Sequence, residues 1–162
     1  MKSVPLIIEA YRRYVEMVPT ALPITAASQA ETESRAKLHI GEDHFELDPG
    51  FIHLAHQVDG LTADDVMICP VVTRTSVSRR GRSSTVLGIL EANIDWRAAY
   101  GGSHFEGLLF YGQSDSSFFV KNSASDLFEH RSLTDYKRAY FTCETFEECL
   151  YEAVKYALEI AD

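Results

Sequence analysis

From Leu108 onward the chain alternates short apolar runs with clusters of turn-forming residues, and no other stretch limits the fold as much. The runs are Leu108–Gly112, Ser117–Lys121, Leu127–His130 and Arg138–Phe141. Between them stand Gln113–Ser114–Asp115–Ser116, Asn122–Ser123–Ala124–Ser125–Asp126 and Thr134–Asp135. Asn, Asp and Ser favour turns because their side chains bond nearby backbone. Connections this short join antiparallel neighbours, since a parallel pair needs a crossover of a dozen residues or more. The spacing predicts an antiparallel meander of hairpins.

Helical periodicity brackets the meander. Ile7, Ala10, Tyr11, Tyr14, Val15 and Val18 repeat at i, i+3, i+4 spacing, with Glu9, Arg12, Arg13 and Glu16 between them, which predicts a helix over about 6–18. Pro19 and Pro23 end it. Asp48 followed by Pro49 reads as an N-cap and first helical residue, and Asp59–Gly60 as the stop. Thr85–Ala99 carries Leu87, Leu90, Ile94 and Ala98 on one predicted face. Thr145 and Glu148 stand at capping-box spacing before the stripe Phe146, Cys149, Leu150, Ala153, Val154, Ala157 and Leu158. Lys155 is placed to pair with Glu152.

The remaining segments are shorter. Lys37–Leu47 predicts two strands about Gly41–Glu42–Asp43, and Val66–Val72 a strand with Pro70 at its edge or end. Thr20–Arg35 reads as loop with a short helix. Thr73–Ser84, with Arg74, Arg79, Arg80 and Arg82 among Ser and Gly, reads as a basic, solvated loop. The whole predicts an α+β fold in one domain over 1–162. It has an antiparallel sheet of about four to six strands, flanked by N-terminal, central and C-terminal helices.

Composition narrows the function. Apolar residues make up 46% of the chain, too many for a disordered protein. The net charge of −9 opposes nucleic-acid binding, in which phosphate neutralisation supplies much of the affinity, and favours encounter with a basic protein. Three cysteines, Cys69, Cys143 and Cys149, with no CxxC pair predict reduced thiols. The run Val4–Ile8 is too short for a leader's apolar region and is followed by Glu9, Arg12 and Arg13. No stretch approaches the roughly 20 apolar residues of a membrane span. The expected compartment is the cytoplasm.

Catalytic patterns are sparse. His53 and His56 stand at i, i+3 on one helix, with His44 and Asp48 upstream, but a metal site needs three or four converging ligands. Ser103–His104 lacks a GxSxG elbow and an orienting acid. A Cys–His pair using Cys69 or Cys143 stays open. The aromatics Phe110, Tyr111, Phe118 and Phe119 lack the flanking bases of a nucleic-acid platform and read as core. Neither a metal nor a cofactor is expected, and no catalytic residue. Paired acids at Glu42–Asp43, Asp64–Asp65 and Glu147–Glu148 read as surface.

Three stretches carry a family resemblance. Leu47–Gly60 (LDPGFIHLAHQVDG) resembles the LPxxFxxFLxxxNG helix and turn of the SUKH superfamily, with Asp59–Gly60 where Asn-Gly is common. Gly107–Phe119 (GLLFYGQSDSSFF) is similar to its central strand–turn–strand pattern. Thr142–Leu150 (TCETFEECL) looks like its closing xSFEEFL helix start. The resemblance spans about residues 45–158, while the family's Trp-Gly patterns are weak here and the Arg74–Arg82 stretch is unusual. The group includes bacterial immunity proteins, Syd and fungal cell-wall regulators.

The resemblance implies a non-enzymatic protein that binds and neutralises a cognate toxin, often a nuclease and so basic. The expected contact residues are Asp59, Asp64, Asp65 and Asp115, all placed on turns, where binding residues concentrate. Two alternatives stand beside it: an adaptor or regulatory module binding a cellular protein, and a small hydrolase using His53, His56 or a Cys–His pair.

Overall fold

The computed structural model describes residues 3–77 and 80–160. The chain opens with α1 (Ser3–Met17) and α2 (Gln29–Arg35), then β1 (Lys37–Ile40), β2 (Asp43–Glu46) and α3 (Pro49–Ala55). β3 (Leu61–Ala63), β4 (Val66–Ile68), β5 (Arg74–Val77) and β6 (Ser83–Val86) follow, then α4 (Ile89–Tyr100). A 3-10 turn at Gly102–Phe105 leads into β7 (Leu108–Gln113), β8 (Ser117–Asn122), β9 (Leu127–Ser132), β10 (Ala139–Cys143) and α5 (Phe146–Val154). The fold is α+β.

The main sheet has six antiparallel strands in the order β10-β9-β8-β7-β4-β3. Its first four members are the meander expected from the turn spacing. Successive side chains of a strand point to opposite faces, and the aromatic contacts show which layer covers each face. Phe110 and Phe118 meet Trp96 of α4 on one side. Tyr111 and Phe128 meet Phe146 of α5 on the other, where Phe51 of α3 also packs on Tyr111. The sheet is a central layer between α4 and the α3/α5 pair. α1 packs against α5 and β3.

β7 carries a bulge, which shifts its register against β8 between Phe110 and Gly112. Gly112 is required there, because a Cβ would collide with the Met67 carbonyl of β4 and crowd Ile68. Gly60 serves differently: its φ of +81° and the closeness of Pro70 favour a residue without a side chain.

Several boundaries depart from expectation. α1 starts at Ser3, three residues early; its predicted face is buried or half-buried. Thr20–Arg35 contains α2, set by a complete capping box in which Ser28 and Glu31 bond each other's backbone N–H. Leu61–Ala63 forms an unexpected edge strand, and β4 is shorter than predicted because Pro70, which has no N–H, stops the ladder after Cys69 bonds Tyr111.

Within Thr73–Ser84 the stretches Arg74–Val77 and Ser83–Ser84 are strand rather than loop. β5 and β6 pair as a separate hairpin from Arg74↔Val86 to Val77↔Ser83, with hydroxyls matched across it at Thr75–Thr85 and Ser76–Ser84. Arg79 lies outside the described residues. Thr85 and Val86 therefore belong to β6, and α4 begins only at Ile89. Its buried face is Ile89, Ala92, Asn93 and Trp96 rather than the predicted Leu87, Leu90, Ile94 and Ala98; Ile94 is 54% exposed. Asn93 turns the helix. Its amide nitrogen donates to the Phe110 carbonyl at 2.9 Å, and its oxygen accepts from the Phe110 N–H at 2.8 Å. The side chain stands where β4 ends and completes the pairing of β7 as a strand residue would.

At the C-terminal end the Thr145 hydroxyl accepts from the Glu148 N–H, one half of the predicted capping box, and Lys155 pairs with Glu152 at 2.8 Å as predicted. α5 stops at Val154; Ala157 and Leu158 pack from the turn after it.

Candidate functional site at the acidic end of the sheet

β4 runs antiparallel to β7, with Met67 opposite Gln113. The turn that enters β4 and the turn that leaves β7 must therefore lie side by side. This register brings Asp65 to Asp115 across 50 residues of sequence, with Asp64 beside Asp65 on the same turn. The Asp115 N–H donates to Asp65 Oδ2 at 3.3 Å. Hydrogen bonding with Asp115 holds the Asp65 carboxyl below its usual range, and the same bonding with the Asp65 charge beside it holds Asp115 above, because two carboxylates this close resist simultaneous ionisation.

Asp64 is fixed from a different direction. Its backbone is left-handed, with φ 51°, a conformation Asp tolerates better than most residues. Its N–H donates to the Tyr14 hydroxyl at 2.8 Å, and that hydroxyl lies 3.4 Å from its carboxylate. One α1 turn earlier, the Tyr11 hydroxyl donates to the Leu22 carbonyl and accepts from the Thr62 N–H at 3.2 Å. Two tyrosines thus brace β3 and its turn against α1. Asp64, Asp65 and Asp115 are all exposed.

Asp59 does not join them, and its expected contact role is corrected here. Its side chain is 0% exposed. It accepts from the Val71 N–H at 2.6 Å and from Arg74 Nε at 2.9 Å, while Arg74 also reaches Glu31 at 3.1 Å. Burial pushes the Asp59 carboxyl upward against the pull of these donors. The residue ties the β5–β6 hairpin to α2 and has no surface to offer a partner.

Beside Asp64 a groove of about 640 Å³ opens between α1 and the segment after α5. Leu6, Arg13, Met17, Leu158 and Ile160 line it, and Met17 is 77% exposed. Sequence reasoning about α1 followed only the core stripe. The signal was nonetheless present: Leu6, Ala10, Arg13 and Met17 repeat at i, i+4, i+7, i+11, a second stripe on the same helix. Acid groups at the rim of a partly apolar groove suit a protein surface with an apolar centre and basic edge.

The candidates for other chemistry are dispersed. His53 Nε2 contacts the Gln57 amide at 3.3 Å, His56 Nδ1 faces the Ala27 carbonyl at 3.2 Å, and the His44 ring lies tilted against His39. Asp48 caps α3 through the Gly50 N–H. Among the described residues no three His, Cys, Asp or Glu side chains gather as metal ligands. Cys69 is buried, and burial raises its thiol well above the usual range. Among the described residues no helix is long and apolar enough to cross a membrane. No family model matches this chain, and neither a curated protein nor a solved structure does.

Proposed function

We propose that this chain is a non-catalytic immunity protein of the SUKH type, which binds a basic toxin inside the producing cell and blocks it by direct contact. The observation that carries this reading is the convergence of Asp64, Asp65 and Asp115 on one exposed end of the sheet, beside the α1 groove. A protein that must hold nucleic acid presents cations to phosphate. Acids spaced on rigid turns answer those cations, and the chain's charge of −9 draws such a partner in. Met17 and Leu6 would supply apolar contact behind the charged rim.

The test is co-expression with the product of the gene immediately upstream. A stable complex that relieves growth arrest is the expected result. The triple variant Asp64→Asn/Asp65→Lys/Asp115→Lys should then lose affinity by about tenfold or more, chiefly through slower association. Asn is chosen at position 64 because it tolerates the left-handed backbone. Unchanged affinity would remove the acidic face from the interface. Absence of both toxicity and complex would sink the toxin reading and leave the adaptor role to be tested.

A further inference from the structure

The two outer strands of the main sheet, β3 and β10, are finished differently. The N–H groups of Thr62 in β3 and of Asp64 just beyond it are taken by the Tyr11 and Tyr14 hydroxyls, so α1 closes that edge. β10 pairs only with β9, and among the described residues nothing outside β9 bonds the backbone of Ala139–Cys143. An edge strand directs every second N–H and C=O outward, where another strand can take them up. Tyr140 on this edge is 62% exposed, and its hydroxyl is bonded to that of Ser117. The tethered ring loses little freedom on being covered. Open edges are commonly blunted by a bulge or by charge. β10 has the bulge, a register shift between Ala139 and Phe141. Its flanking charges, however, are of opposite sign: Lys137 and Arg138 precede it and Glu144 follows it, all exposed.

That order of charge selects the occupant. We infer that β10 is a dimerisation edge, on which the β10 of a second copy of this chain adds as an antiparallel neighbour about a two-fold axis. Centred on Phe141, the pairing sets Arg138 opposite the partner's Glu144, and symmetry repeats the contact with Glu144 opposite the partner's Arg138. Ala139 then faces the partner's Cys143, and Tyr140 faces the partner's Thr142, an aromatic ring against a β-branched side chain. Parallel addition in register would instead set Arg138 beside the partner's Arg138 and Glu144 beside the partner's Glu144, which like charge opposes. Among the described residues neither Arg138 nor Glu144 has an ion-pair partner within its own chain, so dimerisation breaks no existing pair. The two six-stranded sheets become continuous, and the open edge is closed. β10 stands at the opposite end of the strand order from β4 and β3, so each copy keeps Asp64 and Asp65 exposed. The dimer is therefore independent of the partner proposed for those acids.

The test is sedimentation velocity of the purified full chain at concentrations rising to about 1 mM. Wild type should pass from monomer to dimer. Arg138→Glu alone and Glu144→Arg alone each set like charges opposite one another, and each should weaken the dimer by about tenfold or more. Mixed in equal amounts, the two variants regain both opposite-charge contacts and should recover wild-type affinity. Both positions are exposed, and circular dichroism checks that each variant is folded. Amide exchange over 139–143 should slow as the dimer forms. A chain that stays monomeric throughout, a dimer indifferent to both reversals, or a mixture no stronger than its components would overturn the proposal. Slowed exchange around Leu6 and Met17 in place of β10 would also overturn it and would seat the second copy in the α1 groove. Slowing over β10 only when a different protein is bound would give the edge to that protein instead.

Discussion

His130 lies beneath α5 with its ring against Phe119 and Phe141 and its Nε2 on the Cys149 carbonyl at 3.2 Å. Burial pushes this imidazole down to about 4 from 6.5, against the stabilising bond to the carbonyl. The folded state therefore resists a proton that the unfolded chain accepts. Stability from this residue is complete above pH 6.5 and drains away as pH falls toward 4. The full effect is at most about 3 kcal/mol. Urea unfolding between pH 7 and pH 4.5 should show wild type losing stability faster than His130→Gln; parallel curves would contradict the burial of a neutral ring. Asp59 makes the opposite kind of statement. Asp59→Asn leaves Arg74 beside an amide and should cost about 3 kcal/mol in the same assay at neutral pH. A loss below about 0.5 kcal/mol would mean that the pair is not closed in solution.

At the scale of elements, α4 and the β5–β6 hairpin show why local pattern sufficed for some segments and failed for others. The meander was legible because its pairings are between neighbours and each turn carries its own chemistry. α3 was legible because Asp48 and Pro49 announce it. α2 was legible only as a short helix somewhere in Thr20–Arg35, since its seven residues bury only Thr32 and so carry no apolar stripe; only Ser28 and Glu31 fix its start. α4 was misread by half a face because Asn93, a polar residue, is fully buried, and its reason for burial lies 17 residues away in the backbone of Phe110. Asn93→Leu keeps the branched shape but strands the Phe110 N–H and carbonyl. It should destabilise by about 3 kcal/mol, where Ile94→Gln on the exposed side should change little. The hairpin depends on Arg74 in the same non-local way. Arg74→Ala should speed amide exchange in 74–77 and 83–86 while leaving β8 and β9 protected; protection unchanged in the hairpin would show that its own ladder suffices.

For the whole molecule, the arrangement of charge matters more than its sum. Of the four acids singled out by turn position, three converge and one is buried, and nothing short of the tertiary fold separates the two outcomes. Asp59 stands three residues beyond the His56 cap of α3, not at the helix stop the sequence suggests, and reads like any surface acid until Arg74 returns to it. Asp65 meets Asp115 only through the long-range pairing of β4 with β7, which no local window contains. If the acidic end meets a basic partner, association should slow steeply as salt rises, because steering acts through screened charge. A stopped-flow series over ionic strength would check this, with a flat profile arguing for an interface through the groove alone.

The Asp65–Asp115 bond adds one consequence. As pH falls, Asp115 takes up a proton sooner than an isolated aspartate would, and an arriving guanidinium or ammonium would displace that proton. Binding would then discharge acid into the medium, and the heat measured for one and the same complex would vary with the ionisation enthalpy of the buffer that absorbs it.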